Sequence, residues 1–91
     1  MRQQLRVTIT GMVQGVGFRY ATRREAKSLG LTGWVRNTAK GEVEAVFEGE
    51  WDALDKILGW CNQGPVLSRV DGVTCAWSDA GGAFEGFEIA H

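Results

Sequence analysis

Twice in 91 residues the apolar pattern switches from every second residue to every third or fourth, and back. Leu5, Val7 and Ile9 alternate with Arg6, Thr8 and Thr10, which reads as a half-buried strand. Across residues 18–29 the spacing becomes helical. Phe18, Ala21, Thr22, Glu25, Ala26 and Leu29 share one side, while Arg23, Arg24 and Lys27 face water, and Gly30 supplies a stop. Residues 31–36 read as a second strand and residues 37–41 as a turn. Residues 42–48 read as a third strand, with Val43, Ala45 and Phe47 on one face and Glu42, Glu44, Val46 and Glu48 on the other. The short glycine-containing connection predicts a hairpin. The helical period returns over residues 50–62, where Trp51, Leu54, Ile57, Leu58 and Cys61 form an apolar stripe that Gly64-Pro65 ends. Residues 69–77 read as a fourth strand. A glycine-rich loop, 79–82, leads to a short last strand, 84–90, with Phe87 and Ile89 inward.

This order leaves few topologies. Each β–α–β half closes a right-handed crossover. Two such halves give an α+β, ferredoxin-like α/β sandwich, βαββαβ: a mostly antiparallel four-stranded sheet plus a short fifth strand, with two helices on one face. The other face meets water, a role the glutamates of the third strand suit. A chain of this length holds one core. No linker, repeat or low-complexity stretch interrupts it, so residues 1–91 are expected to form a single domain.

The run Gly11 to Arg19, GMVQGVGFR, lies between the first strand and the first helix. Gly15 and Gly17 can adopt positive φ, which lets successive N–H groups converge on an anion. The helix N-terminus adds a favourable field, and Arg19 adds a fork-shaped cation. Such a place suits a phosphoryl group; taken as composition alone, a glycine-rich connector that only turns the chain fits equally. The run lacks the third glycine of a dinucleotide fingerprint, and no Gly-Lys-Ser/Thr follows it. Asn37, at the end of the second strand, either starts the hairpin turn or uses its carboxamide to hold a water beside the phosphate. Arg36 beside it reads as a solvated charge.

Conventional catalytic sets are missing. The sole histidine is His91, and Asp71, Asp79 and the glutamates form no obvious acid–base pair. Any catalysis must therefore use positioning and electrostatics. A net charge of −1 argues against a nucleic-acid partner. The absence of a long apolar run argues against a membrane span or a secretory signal, which implies a cytoplasmic protein. Cys61 and Cys75 have neither metal-site spacing nor a disulfide framework, and read as two partly buried thiols.

Two motifs together resemble the acylphosphatases. Gly11, Val13, Gln14, Gly15, Val16, Phe18 and Arg19 match a family loop, and Gly33, Trp34, Val35, Asn37, Gly41, Val43 and Gly49 match a second family pattern. The likeness covers essentially the whole chain. It implies hydrolysis of acyl phosphates to a carboxylate and inorganic phosphate, with no metal or organic cofactor. In the residues it implies, Arg19 binds phosphate, Val13, Gln14, Gly15, Val16, Gly17 and Phe18 form the phosphate-binding loop, and Asn37 orients the attacking water. Met12 stands where many relatives carry a polar or charged residue, with an expected effect on loop stiffness or substrate preference. Partners on this reading are a small-molecule acyl phosphate and its phosphate product; the small surface of nearly balanced charge leans toward a monomer. Two rivals remain at this stage. One is a base-stacking RNA-recognition module, disfavoured by the glutamates of the open face. The other is an accessory phosphate-binding domain of acylphosphatase type, as found at the front of longer maturation proteins. The chain ending where the domain ends favours the free enzyme.

Overall fold

The structure, a computed structural model, describes residues 2–90. Its elements are β1 (Arg2–Met12), α1 (Phe18–Ser28), β2 (Thr32–Asn37), β3 (Val43–Glu50), α2 (Trp51–Gln63), β4 (Arg69–Asp79) and β5 (Phe87–Ile89). The strands form one sheet in the order β4-β1-β3-β2-β5. The first four are antiparallel to their neighbours, and β5 runs parallel to β2 at the edge. This is the ferredoxin-like arrangement expected from the order of periods. α1 lies over β2 and β5, and α2 lies over β1, β3 and β4.

The core fills the space between helices and sheet. Leu5, Val7 and Ile9 from β1, Val35 from β2, and Val43, Ala45 and Phe47 from β3 meet Phe18, Ala26, Leu54, Ile57 and Cys61 from the helices. Phe18 meets Trp60 edge-on at 5.5 Å between ring centroids, which ties the start of α1 to α2. Phe47 stacks on Phe87 at 5.4 Å, which fixes the short edge strand to the core. Burial pushes the Cys61 thiol up to about 12, so it behaves as a small apolar group.

Several details differ from the sequence expectations. β1 does not end before the glycines: Gly11 and Met12 still pair with Val70 and Arg69 after a register shift between Thr10 and Gly11. The last strand shrinks to three residues. Trp51 occupies the first position of α2 and is half exposed rather than part of the buried stripe. Cys75 is exposed on the edge strand, while Cys61 is fully buried.

The open face of the sheet is also less open than its glutamates implied. Glu48 is only 1% exposed. Its carboxylate accepts hydrogen bonds from Gln4 Nε2 at 2.8 Å and from the amides of Gly81 and Gly82 at 3.0 and 3.1 Å. Burial by itself would raise its pKa. The Gln4, Gly81 and Gly82 hydrogen bonds, with the charge of Arg2, outweigh that and hold the carboxyl below its ordinary value of 4.5. Glu44 is held low chiefly by its hydrogen bond from Arg36, against burial and with help from Arg6. Both guanidiniums also lie over Trp34, 5.3 and 5.7 Å from its ring centroid.

Candidate active site

Strand register brings the two motifs together. Ile9 on β1 pairs with Val43 on β3, and Val43 pairs with Asn37 on β2. Directly paired residues project to the same face. Ile9, Val43 and Asn37 therefore form a row on the helix side, at the end of the sheet where β1 runs out. Ile9 and Asn37 are two strand spacings apart, about 10 Å. The chain leaves β1 in the middle of the sheet and enters α1 over β2 and β5. To do so, residues 13–17 must cross the end of β2, where Asn37 sits.

The loop is pinned in that position by side chains the motif also specifies. Val13 and Phe18 are 1% exposed, and Val16 packs against the core. These apolar side chains anchor the loop downward and leave its main chain for other work. Gln14 takes a different part: its Nε2 donates to Thr38 O at 2.8 Å and to Glu42 O at 2.9 Å. Thr38 and Glu42 already close the β2–β3 turn through Thr38 N to Glu42 O at 2.9 Å. The Gln14 side chain thus brackets the loop to the turn that follows Asn37. Sequence reasoning placed Gln14 in the loop but did not find this bracket. Its signal was present only as a long polar side chain among glycines.

The main chain of the loop has the form of an anion nest. No described non-glycine residue has positive φ, whereas Gly15 and Gly17 have φ of 75° and 77°. Residues 14–17 therefore alternate in hand, which turns consecutive N–H groups toward one side. A Cβ at Gly15 or Gly17 would meet nothing within 4 Å, so the conformation, not crowding, requires glycine there. The first main-chain bond into α1 is Ala21 N to Gly17 O at 3.0 Å. The amides of Phe18, Arg19 and Tyr20 are consequently without acceptors in the helix. Among the described residues, the amides of 14–17 make no turn or loop hydrogen bond either.

Arg19 is the second residue of α1 and is half-buried. Among the described residues its guanidinium has no carboxylate partner, unlike Arg6, Arg36 and Arg69. Asn37 Oδ1 is buried and has no hydrogen-bond partner. A buried carbonyl oxygen left unpaired costs roughly 1–3 kcal/mol, a cost a donor brought by the reaction removes. Met12 is exposed beside the loop stem, with Arg69 Nη1 3.6 Å from its Sδ. No group of three or more His, Cys, Asp or Glu among the described residues is arranged to hold a metal ion.

Comparison with known proteins shows the family. A family model described as Acylphosphatase matches residues 5–89. An acylphosphatase of Pelotomaculum thermopropionicum is 47% identical over 89 residues, covering 98% of this chain and 97% of the relative. One of Rubrobacter xylanophilus is 49% identical over 87 residues, covering 96% of this chain and 79% of the relative. The crystal structure of acylphosphatase from Bacillus subtilis superposes with a TM-score of 0.94 at 35% identity, covering 98% of this chain and 99% of that chain. A stretch of full-length HypF, in its phosphate- and nucleotide-bound form, superposes with a TM-score of 0.91 at 26% identity, over 12% of that chain.

Proposed function

This chain belongs to the acylphosphatase family, and from that premise we propose which of its groups carries each part of the reaction. The activity is hydrolysis of acyl phosphates, carboxyl–phosphate mixed anhydrides, to a carboxylate and inorganic phosphate.

In the proposed division of labour, the amides of residues 14–19 and the Arg19 guanidinium hold the phosphoryl oxygens. Hydrogen bonds to charged groups contribute roughly 1.5–3 kcal/mol each. Asn37 Oδ1 accepts a hydrogen bond from a water, whose lone pair then faces phosphorus opposite the acyl oxygen. The water oxygen bonds to phosphorus as the bond from phosphorus to the acyl oxygen breaks. The carboxylate departs with that electron pair, and the water's proton passes to a phosphoryl oxygen. A carboxylate is a stable leaving group, so no acid has to protonate it. The protein's task is positioning and charge stabilisation, which is most of what phosphoryl transfer needs.

The observation that carries this reading is the buried, unpaired Asn37 oxygen at the sheet end crossed by the nest. The test is phosphate release from benzoyl phosphate by the native chain and by Asn37→Ala. The variant is expected to lose about 10²-fold in kcat with its inhibition by inorganic phosphate unchanged. Native turnover in the variant would remove Asn37 from the mechanism. Phosphate binding without release by the native chain would instead favour an accessory module, the reading to which the HypF likeness gives weight. The proposal takes residues 1–91 as one catalytic unit, monomeric and cytoplasmic, with no nucleic-acid partner. No helix among the described residues is long and apolar enough to cross a membrane.

A further inference from the structure

Beyond the cradle, α1 presents Arg19, Arg23 and Lys27 at successive four-residue steps, one line along the helix. With Tyr20 and residues 86–89 they line a groove of about 600 Å³ between α1 and β5. The Arg23 guanidinium lies 5.6 Å from the Tyr20 ring centroid, which steadies it at the groove wall. Among the described residues, the ion pairs engage Arg6, Arg36 and Arg69, and none engages the three cations of the groove. Glu88 is the one carboxylate in the lining. Like charges four residues apart on a helix are mutually destabilising, and the chain as a whole carries a charge of −1. Three cations in line without an ion-pair partner, on a protein that is slightly acidic overall, give this groove a positive field that an anion would complement.

We propose that this groove is a subsite for a second negative charge on the substrate, so that the chain prefers acyl phosphates whose acyl group ends in an anionic group. The inference rests on Arg19 holding the phosphoryl group. Arg19 stands at one end of the groove. Arg23 is one four-residue step away, about 6 Å along the helix, and Lys27 two steps away, about 12 Å. The phosphorus and the far carboxylate of a four-carbon diacid acyl phosphate are separated by roughly 6 Å when extended. Such a substrate spans Arg19 to Arg23, and a longer one reaches Lys27.

Succinyl phosphate and butyryl phosphate have the same length and differ in the terminal carboxylate. The native chain is expected to favour succinyl phosphate in kcat/KM, mainly through KM, and to lose that preference in high salt. Lys27→Gln should lower the ratio of suberyl phosphate to octanoyl phosphate, a pair long enough to reach it, and Arg23→Gln the succinyl-to-butyryl ratio, each by roughly threefold, the scale of one exposed charge pair. Glu88→Gln, which removes the opposing charge, should raise the succinyl-to-butyryl ratio. A ratio unmoved by the first two variants, or lowered by the third, overturns the proposal. The same preference is read without turnover by binding of 5-phosphonopentanoate, which matches succinyl phosphate in length, against pentylphosphonate, and equal affinities overturn it there too. Hydrolysis of both substrates without preference defeats the subsite alone. Failure to hydrolyse either, with the phosphonate preference intact, defeats the catalytic reading and leaves the subsite standing.

Discussion

A guanidinium offers an anion two parallel N–H donors, whereas an ammonium offers a single centre of charge. Arg19 has no carboxylate partner among the described residues, which leaves its donors available for the phosphoryl group it is proposed to hold. Arg19→Ala should lose both phosphate affinity and turnover, and Arg19→Lys should recover little of either. Steady-state kinetics on benzoyl phosphate, with inhibition by inorganic phosphate, measure both; native kcat/KM in the lysine variant would exclude the two-donor geometry. At this scale spacing located Arg19 near the start of α1 and Asn37 at the end of β2, where the structure has them, while the chemistry proposed for both rests on the family resemblance. The sequence was uninformative for Gln14. A carboxamide in a glycine loop fits a ligand-binding role and a bracing role equally, and only the positions of the Thr38 and Glu42 carbonyls decide between them.

At the scale of elements, the loop and the β2–β3 turn are two structures held as one by the Gln14 bracket. Gln14→Leu removes both bonds but leaves each carbonyl its own main-chain donor. Stability in urea should fall by about 1 kcal/mol per lost bond at most, while kcat/KM on benzoyl phosphate should fall further, because loop and turn then move independently. A catalytic loss no greater than the stability loss implies would contradict that coupling. The buried Glu48 carboxylate and its three donors allow a different test. Its folded pKa is lowered, so the unfolded chain takes up the proton first as pH drops. The stability Glu48 contributes is complete above its ordinary value of 4.5 and is lost as pH falls through the folded value. Glu48→Gln should lower stability at neutral pH and flatten the acid limb of a stability–pH curve. Alternation assigned Glu48 to the correct face of β3. It could not reveal the cover, because the amides that bury it belong to Gly81 and Gly82, more than thirty residues later. Trp51 shares the helical spacing of Leu54 and Ile57 but is half exposed at the first position of α2, and spacing does not show where along a helix packing begins.

At the scale of the molecule, the order of periods was enough to set the topology, because handedness and short connections leave so few alternatives. What it left open was the extent of the edge: residues 84–90 read as a short strand with Phe87 and Ile89 inward, and only Phe87–Ile89 is strand, held by Gly33 N to Gly86 O at 2.9 Å and Ala90 N to Val35 O at 2.8 Å. The sheet order also bears on folding. β1 lies between β3 and β4, so its ladders join residues far apart in sequence. Topologies of this kind fold in roughly milliseconds to seconds, and stopped-flow refolding should find this chain within that range. Met12, the last residue before the loop, is paired to Arg69. The segment synthesised early is thus completed by one synthesised late. Under the role proposed for the loop, a nascent chain carries the whole motif while the strand that flanks its stem is still unmade, and phosphate binding is expected to need the final quarter of the chain in place.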